Sequence, residues 1–426
     1  MMVPFLMEAL LATSAIVQPA EYTGDPIIVT AQRLRDSKAN LKACLARNCP
    51  PDEDIDASLE LAEVQVDAGE YRDARTTLLK SIKRNKDQAA RYPVPVADLY
   101  RANGRVAANL GLDRSYYLST LNILRSLEAG IPEKDYRYFS ARMEIAGMVG
   151  RLKGHERARL AYEKIADDAR KAGRRDVAAM ALLKLAASHL PPGDLQERRI
   201  RRIAESTDPQ ERIPMLQAKL LLAQYAYRDD NFTRFDEIVG EFANLKLTRP
   251  LLIYSPPYQF AAQEADQFAG AAGTFEPTQP NPNDPAPAGG GGGGGRQESV
   301  TGPRGNTFPV TGFSTTRRIP DNYERRWVDV TFTVQPNGRV GNVDLGRTDG
   351  EVSWAKSLVE AIRGRIYTPI VANSPAAVRR ERYTLTAGYE DLATSTRTAM
   401  RSPRARVEYI DMTPDIDNGL SKERLQ

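Results

Sequence analysis

The sequence predicts a multidomain protein: an all-α solenoid, then a small α+β domain in the order strand-strand-helix-strand, joined by a disordered linker. Three observations carry this. Residues 36–247 run as successive amphipathic segments with apolar residues at helical spacing, and prolines fall mainly in the short polar breaks. Residues 328–334 switch to strict alternation, the period of a strand with one buried face. Between these regions lie Pro256-Pro257, alternating Pro and Asn over residues 278–287, and an unbroken glycine run over residues 289–295, a composition that buries no core. The predicted divisions are a signal segment at 1–20, an extended arm at 21–35, a helical domain at 36–250, a linker at 251–318, the α+β domain at 319–391, and a partly ordered tail at 392–426.

Composition sets the outer bounds. A chain of 426 residues with 41% hydrophobic residues can hold more than one core. The formal net charge of +4, from 59 basic and 55 acidic residues, is too small for bulk electrostatics to argue for nucleic acid or membrane binding. The local cluster Arg198-Arg199 with Arg201-Arg202 reads as a solvated helix face.

At the N-terminus, the apolar run from Ala9 to Val17 followed by Gln18-Pro19-Ala20 has the shape of a secretory signal, although no Lys or Arg precedes it and Glu8 adjoins it. It is shorter than the roughly 20 apolar residues a spanning helix needs, so export is favoured over an anchor. Cys44 and Cys49 are the two cysteines, set just before Pro50-Pro51. In an exported chain this closeness favours a local disulfide over a metal site, since no histidine or further cysteine lies nearby. The alternative is a pair of free thiols in a cytosolic protein. Asp52, Glu53, Asp54 and Asp56 follow, and acidic residues there favour the start of the next helix.

Within the helical region, Ala62, Gly69, Tyr71, Ala74, Leu78 and Ser81 place small and aromatic residues where two helices cross closely. Ala146, Ala158, Tyr162 and Ile165 keep the spacing, as do Ala223, Phe232, Phe235, Val239 and Phe242. The pattern resembles tetratricopeptide repeats, which implies stacked helix pairs with a concave face that holds a peptide or protein. Tyr116, Tyr117, Tyr136, Tyr138 and Phe139 could line such a groove, but their helical spacing favours the core.

The C-terminal domain begins with Val328, Val330, Phe332 and Val334 on one face of a strand and Asp329, Thr331 and Thr333 on the other. Asn337-Gly338 suits a two-residue primed turn, with Pro336 at the strand's end. The return strand carries Val340, Val343 and Leu345, whose parity changes once, predicting a bulge near Gly341. Trp354, Leu358, Ala361, Ile362 and Arg365 recur at helical spacing, and Ile366-Tyr367-Thr368-Pro369 ends that helix. A third strand sets Tyr383, Leu385, Ala387 and Tyr389 on one face and Arg382, Thr384 and Thr386 on the other.

Residues 326–390 resemble the C-terminal domain of the TonB family of periplasmic energy transducers. The Tyr-Pro pair that commonly opens that domain is missing, and Ile319-Pro320 is the nearest substitute. The resemblance implies a periplasmic location and recognition of an extended peptide by strand addition to an exposed sheet edge, with Arg382, Thr384 and Thr386 on the accepting strand. The alternative is a small domain that caps or dimerises and takes no peptide. Residues 25–33 resemble the TonB box of outer-membrane receptors, so Ile27, Ile28, Val29 and Thr30 are expected either to add as a strand to such an edge or to pack on the helical domain.

No catalytic, cofactor or metal motif emerges. His155 and His189 sit in separate helical units without nucleophile or ligand neighbours. The expectation is a non-enzymatic periplasmic adaptor for protein or peptide partners, including outer-membrane receptor segments, without nucleic acid and reaching membranes only through partners. The second expectation is a TonB-type energy transducer.

Overall fold

The computed structural model describes residues 26–187, 194–257, 299–301, 307–309, 326–391 and 399–413. The signal segment, the Pro/Asn and glycine runs, Ile319-Pro320 and His189 lie outside the described residues.

Helices fill the first half. They are α1 (Pro26–Ala46), α2 (Pro51–Asp67), α3 (Tyr71–Asn85), α4 (Pro93–Asn109), α5 (Asp113–Glu128), α6 (Tyr136–Lys153), α7 (His155–Lys171), α8 (Arg175–Ala187), α9 (Asp194–Ala204), α10 (Arg212–Arg228) and α11 (Phe232–Ala243). Each packs against the next in sequence, which is the arrangement of a helical repeat region. Local chemistry sets the boundaries. Pro51 and Pro93 begin α2 and α4, where a missing N–H costs nothing, and Asp52, Glu53 and Asp54 place negative charge in the first turn of α2. Gly69, Gly111 and Gly173 follow α2, α4 and α7 with positive φ, the conformation that turns the chain out of a helix. The repeat-pattern residues do pack: Ala62, Tyr71, Ala74, Leu78, Ala146, Ala158, Tyr162, Ile165, Ala223, Phe235 and Phe242 are buried. Phe232 differs. It opens α11 and is half exposed, with its ring edge-on to Tyr227.

Two expectations of organisation are corrected. Residues 26–35, expected as an extended arm, belong to α1, so Ile27, Ile28, Val29 and Thr30 are helical. Pro26 as the first helical residue and an unbroken continuation to Ala46 outweigh the β-preference of a tetrad. Residues 252–254, expected as linker, form β1 (Leu252–Tyr254).

Two further short strands, β2 (Ser299–Thr301) and β3 (Thr307–Pro309), pair with each other. The main sheet is antiparallel with four strands: β4 (Trp327–Val334), β5 (Val340–Asp349), β7 (Val378–Asp391) and β8 (Ala399–Asp411), in the spatial order β5-β4-β7-β8. Helix α12 (Ala355–Arg363) and the short strand β6 (Ile366–Tyr367) lie between β5 and β7 in sequence. The β4–β5 turn is not the primed type. Gly338 alone of the pair has positive φ, and its N–H donates to Gln335 O at 2.8 Å. Pro336 fixes the φ that the second residue of a type I turn needs, so the turn shifts back by one residue and Gly338 takes the left-handed position. The predicted bulge is present, since Phe332 faces Val343 whereas Val334 faces Val340; a second occurs between Val328 and Val330.

The sheet is embedded in the helical body, not tethered to it. β1 pairs with β6, Thr368 N–H donates to Leu251 O at 2.8 Å, and Val371 N–H donates to Leu247 O at 3.0 Å. A single apolar core runs from Leu183, Ile200 and Phe242 through Ile253 to Val328, Phe332, Trp354, Leu358, Ile362, Tyr383 and Leu385.

Candidate functional site

Strand β7 carries the residues expected to receive a partner, and both of its faces are covered. Residues Tyr383 and Leu385 enter the core shared with α12 and the last helices, and Ala387 on the same face is also buried. Arg382, Thr384 and Thr386 point the other way and are also fully buried, against the N-terminal helices. They therefore form no exposed contact surface, and this corrects their assignment as partner-contacting side chains. The reason is the alternation itself: a strand between two layers buries both sets of side chains.

Arg382 organises the second face. It sits across from Asp329 on β4 and binds it through Nε at 2.6 Å and Nη2 at 3.0 Å. Its remaining N–H groups donate to Val66 O and, at 3.0 Å, to Asp67 O. Those carbonyls end α2, where Val66 O accepts also from Gly69 N–H at 2.9 Å, so a sheet residue adds a cap to a helix 315 residues earlier in the chain. The guanidinium also lies 3.8 Å from the Trp327 ring centroid. Burial alone would make Arg382 easier to deprotonate, but the Asp329 hydrogen bonds and the charge environment push it further up.

Trp327 in turn rests on the α2–α3 turn. A Cβ on Gly69 would come within 2.6 Å of its Nε1, so the residue there must be glycine for steric reasons as well as for its φ of +80°. Beside it, Tyr71 Oη and Thr384 Oγ1 share a hydrogen bond of 3.0 Å. Burial pushes the Tyr71 phenol up.

On the apolar face a second polar group is enclosed. Arg365 donates to Glu381 Oε2 at 2.8 Å and to Tyr383 Oη at 2.7 Å, while Tyr383 donates to Glu381. Burial pushes the phenols of Tyr383 and Tyr367 up, the latter to about 12, so both stay neutral.

The outer edge of β7 is occupied by β8. Thr386 pairs with Arg406, Leu385 with Val407, Thr384 with Glu408, Tyr383 with Tyr409 and Arg382 with Ile410. The tail, expected to be ordered only in part, supplies the fourth strand of the sheet. Unlike β7, β8 is superficial. From residue 405 onward none of its side chains is fully buried, and Tyr409 is 60% exposed. Ionic contacts fix its position: Arg406 binds Asp113 at the start of α5 through two bonds of 2.7 and 2.9 Å, and Asp411 accepts from Arg379 and, at 3.3 Å, from Arg249. The alternation of Ala405, Val407 and Tyr409 with Arg406 and Glu408 could have revealed the full strand in sequence. Asp113 had no comparable signal.

Cys44 and Cys49 are joined as a disulfide with Cα atoms 5.1 Å apart. Glu53 lies near both sulfurs, but bonded to each other they offer no thiolate to a metal. His155 opens α7 on the surface.

No protein-family model and no curated protein matches the sequence. Among solved structures, BtubC (BKLC) from P. vanneervenii overlaps 62% of this chain and 99% of its own at 12% identity and a TM-score of 0.37. A kinesin light chain from Podosopora anserina with nearly identical TPR-like repeats overlaps 45% of this chain and 93% of its own at 10% identity and a TM-score of 0.33.

Proposed function

We propose that this protein is a non-enzymatic periplasmic adaptor that captures an extended peptide by strand exchange: the partner replaces β8 on the edge of β7. The observation that carries the proposal is the difference in burial between the two strands. β7 is rigidly held between two layers, so its outer backbone groups form a preorganised template. Over residues 405–411 β8 covers that template without a fully buried side chain, so removing it exposes less core than removing β7 would. The resemblance of residues 326–390 to the TonB C-terminal domain supports strand addition at this position. The apolar N-terminal run and the Cys44–Cys49 disulfide support an exported location.

A tether tests this. Ala387 and Ala405 face each other across the β7–β8 pair, and Ala387→Cys with Ala405→Cys would lock β8 in place. Peptides selected from a displayed library against the wild-type chain are expected to bind it, to lose binding to the oxidised double variant, and to regain it on reduction. Wild-type protein in the same reductant controls for opening of Cys44–Cys49. Undiminished binding to the locked protein would remove strand exchange at this edge.

A further inference from the structure

If β8 occupies a partner's place, its contacts describe that partner. Three residues outside β8 supply charge to the β7 edge, at two places along it. Midway along the pair, Asp113 of α5 reaches Arg406 through a slot kept open by Gly388, where a Cβ would lie 2.7 Å from Asp113 Oδ2. Where β8 finishes, Arg379 of β7 and Arg249, which follows α11, meet Asp411. The side chain of Arg379 is only 9% exposed, and Asp113 is 19% exposed. A strand that displaced β8 without replacing these charges would leave Asp113 without the bidentate Arg406 pair and Arg379 with only the longer 3.8 Å contact to Glu381.

The surfaces beside these charges are equally specific. Ala405 and Val407 pack on the apolar core, Tyr409 stacks over Tyr383 with ring centroids 6.1 Å apart, and Ile410 packs against the core of the first helices. Since side chains alternate across a strand, Arg406, Glu408 and Ile410 face the N-terminal helices while Ala405, Val407 and Tyr409 face α12.

We infer that β8 is a resident pseudo-ligand, and that the partner is an extended peptide running antiparallel to β7. It carries a basic residue in the place of Arg406, apolar residues in the places of Val407 and Tyr409, an aliphatic residue in the place of Ile410, and a carboxylate in the place of Asp411. This rests on the strand-exchange proposal and adds its specificity. The two charged positions also fix direction: a strand running the opposite way brings its carboxylate to Asp113 and its basic group to Arg379.

The test uses the full-length chain with Arg406→Ala, which weakens the resident strand, and fluorescent peptides of residues 403–413 read by anisotropy. The native peptide is expected to bind about tenfold or more tighter than its Arg406→Glu version, the worth of one charge-assisted bidentate pair. Adding Asp113→Arg to the protein is expected to invert the order. Circular dichroism and melting check folding, and Arg406→Lys serves in place of Arg406→Ala if the latter is unfolded. Equal binding of the two peptides, or an order unchanged by Asp113→Arg, overturns the recognition pattern while leaving strand exchange intact. Failure of every peptide to bind a folded variant overturns both.

Discussion

The two faces of one strand show how the same sheet serves two purposes. Along β7, the odd-numbered residues Tyr383 and Leu385 join an apolar core with α12 and the last helices. On the other face, Arg382 pairs with Asp329 of β4 and caps the end of α2, and Thr384 shares a hydroxyl hydrogen bond with Tyr71 at the start of α3. Most of the apolar face is held by packing, which constrains volume more than direction, whereas the Arg382 and Thr384 contacts depend on hydrogen-bond direction. The first therefore makes the sheet part of the fold, and the second fixes which way the first helices meet it.

The largest expected effect breaks the apolar face. Trp354 is 1% exposed at the start of α12, and Trp354→Ala should cost about 3 to 5 kcal/mol in urea unfolding. The sheet and the last helices should be lost in one transition, because they share a core. Next comes the polar face. Arg382→Ala leaves the buried Asp329 to Arg347 at 3.0 Å and Arg380 at 3.5 Å but removes the donor of the Val66 and Asp67 carbonyls, and should cost about 3 kcal/mol, while Arg382→Met combined with Asp329→Leu should recover part of that loss. A double variant no better than the single would show that the pair is not the coupled element proposed.

A smaller substitution separates docking from helix termination. Gly69 and Gly173 both follow helices with positive φ, but only Gly69 has a neighbour, Trp327, in the way of a Cβ. Gly173→Ala should cost about 1 kcal/mol from backbone strain alone, and Gly69→Ala clearly more. Equal losses in thermal melts would mean that Trp327 moves aside freely.

These contrasts also explain what was legible in the sequence. The β4–β5 hairpin, its bulge and α12 follow from periodicity that local physics enforces, and the structure departs from them only where Pro336 moves the turn. The burial of Arg382 and Thr384 was not legible. A polar alternate face looks the same in sequence whether it meets water or a second layer, and the partners that decide it, Tyr71 and the α2 carbonyls, lie more than 300 residues away. The edge was missed for a related reason. Nothing local in Arg406 announces that Asp113 will receive it. The embedded position of the domain was hidden by composition, because the Pro- and Gly-rich segment drew the linker boundary too early and took in β1.

The smallest expected effect is one of pH, and it runs in opposite directions on the two sides. Burial works against the charged form of Asp411, but the Thr413 hydroxyl and amide and Arg379 outweigh it and hold the carboxyl below its ordinary value of 3.8. A lowered value in the folded state gives stability that is present above 3.8 and lost as pH falls through the folded value. Tyr367 is the reverse case. Its value of about 12 exceeds the ordinary 10.0, so its contribution is present below pH 10 and lost as pH rises toward 12. Acid should therefore loosen β8 first and alkali the apolar face. Asp54 titrates on α2 in the same acid range: burial opposes its charge, yet Arg84 and Asn85 hold its carboxyl down. Global melting would mix the two groups, so the measurement is amide exchange of β8 itself at pH 6 and near pH 3. Asp411→Asn should raise exchange at pH 6 and reduce the extra loosening on acidification near Asp411, the Arg406–Asp113 pair being left in place. If β8 in that variant still loosens in acid as in the wild type, Asp411 is not what holds the strand to the edge.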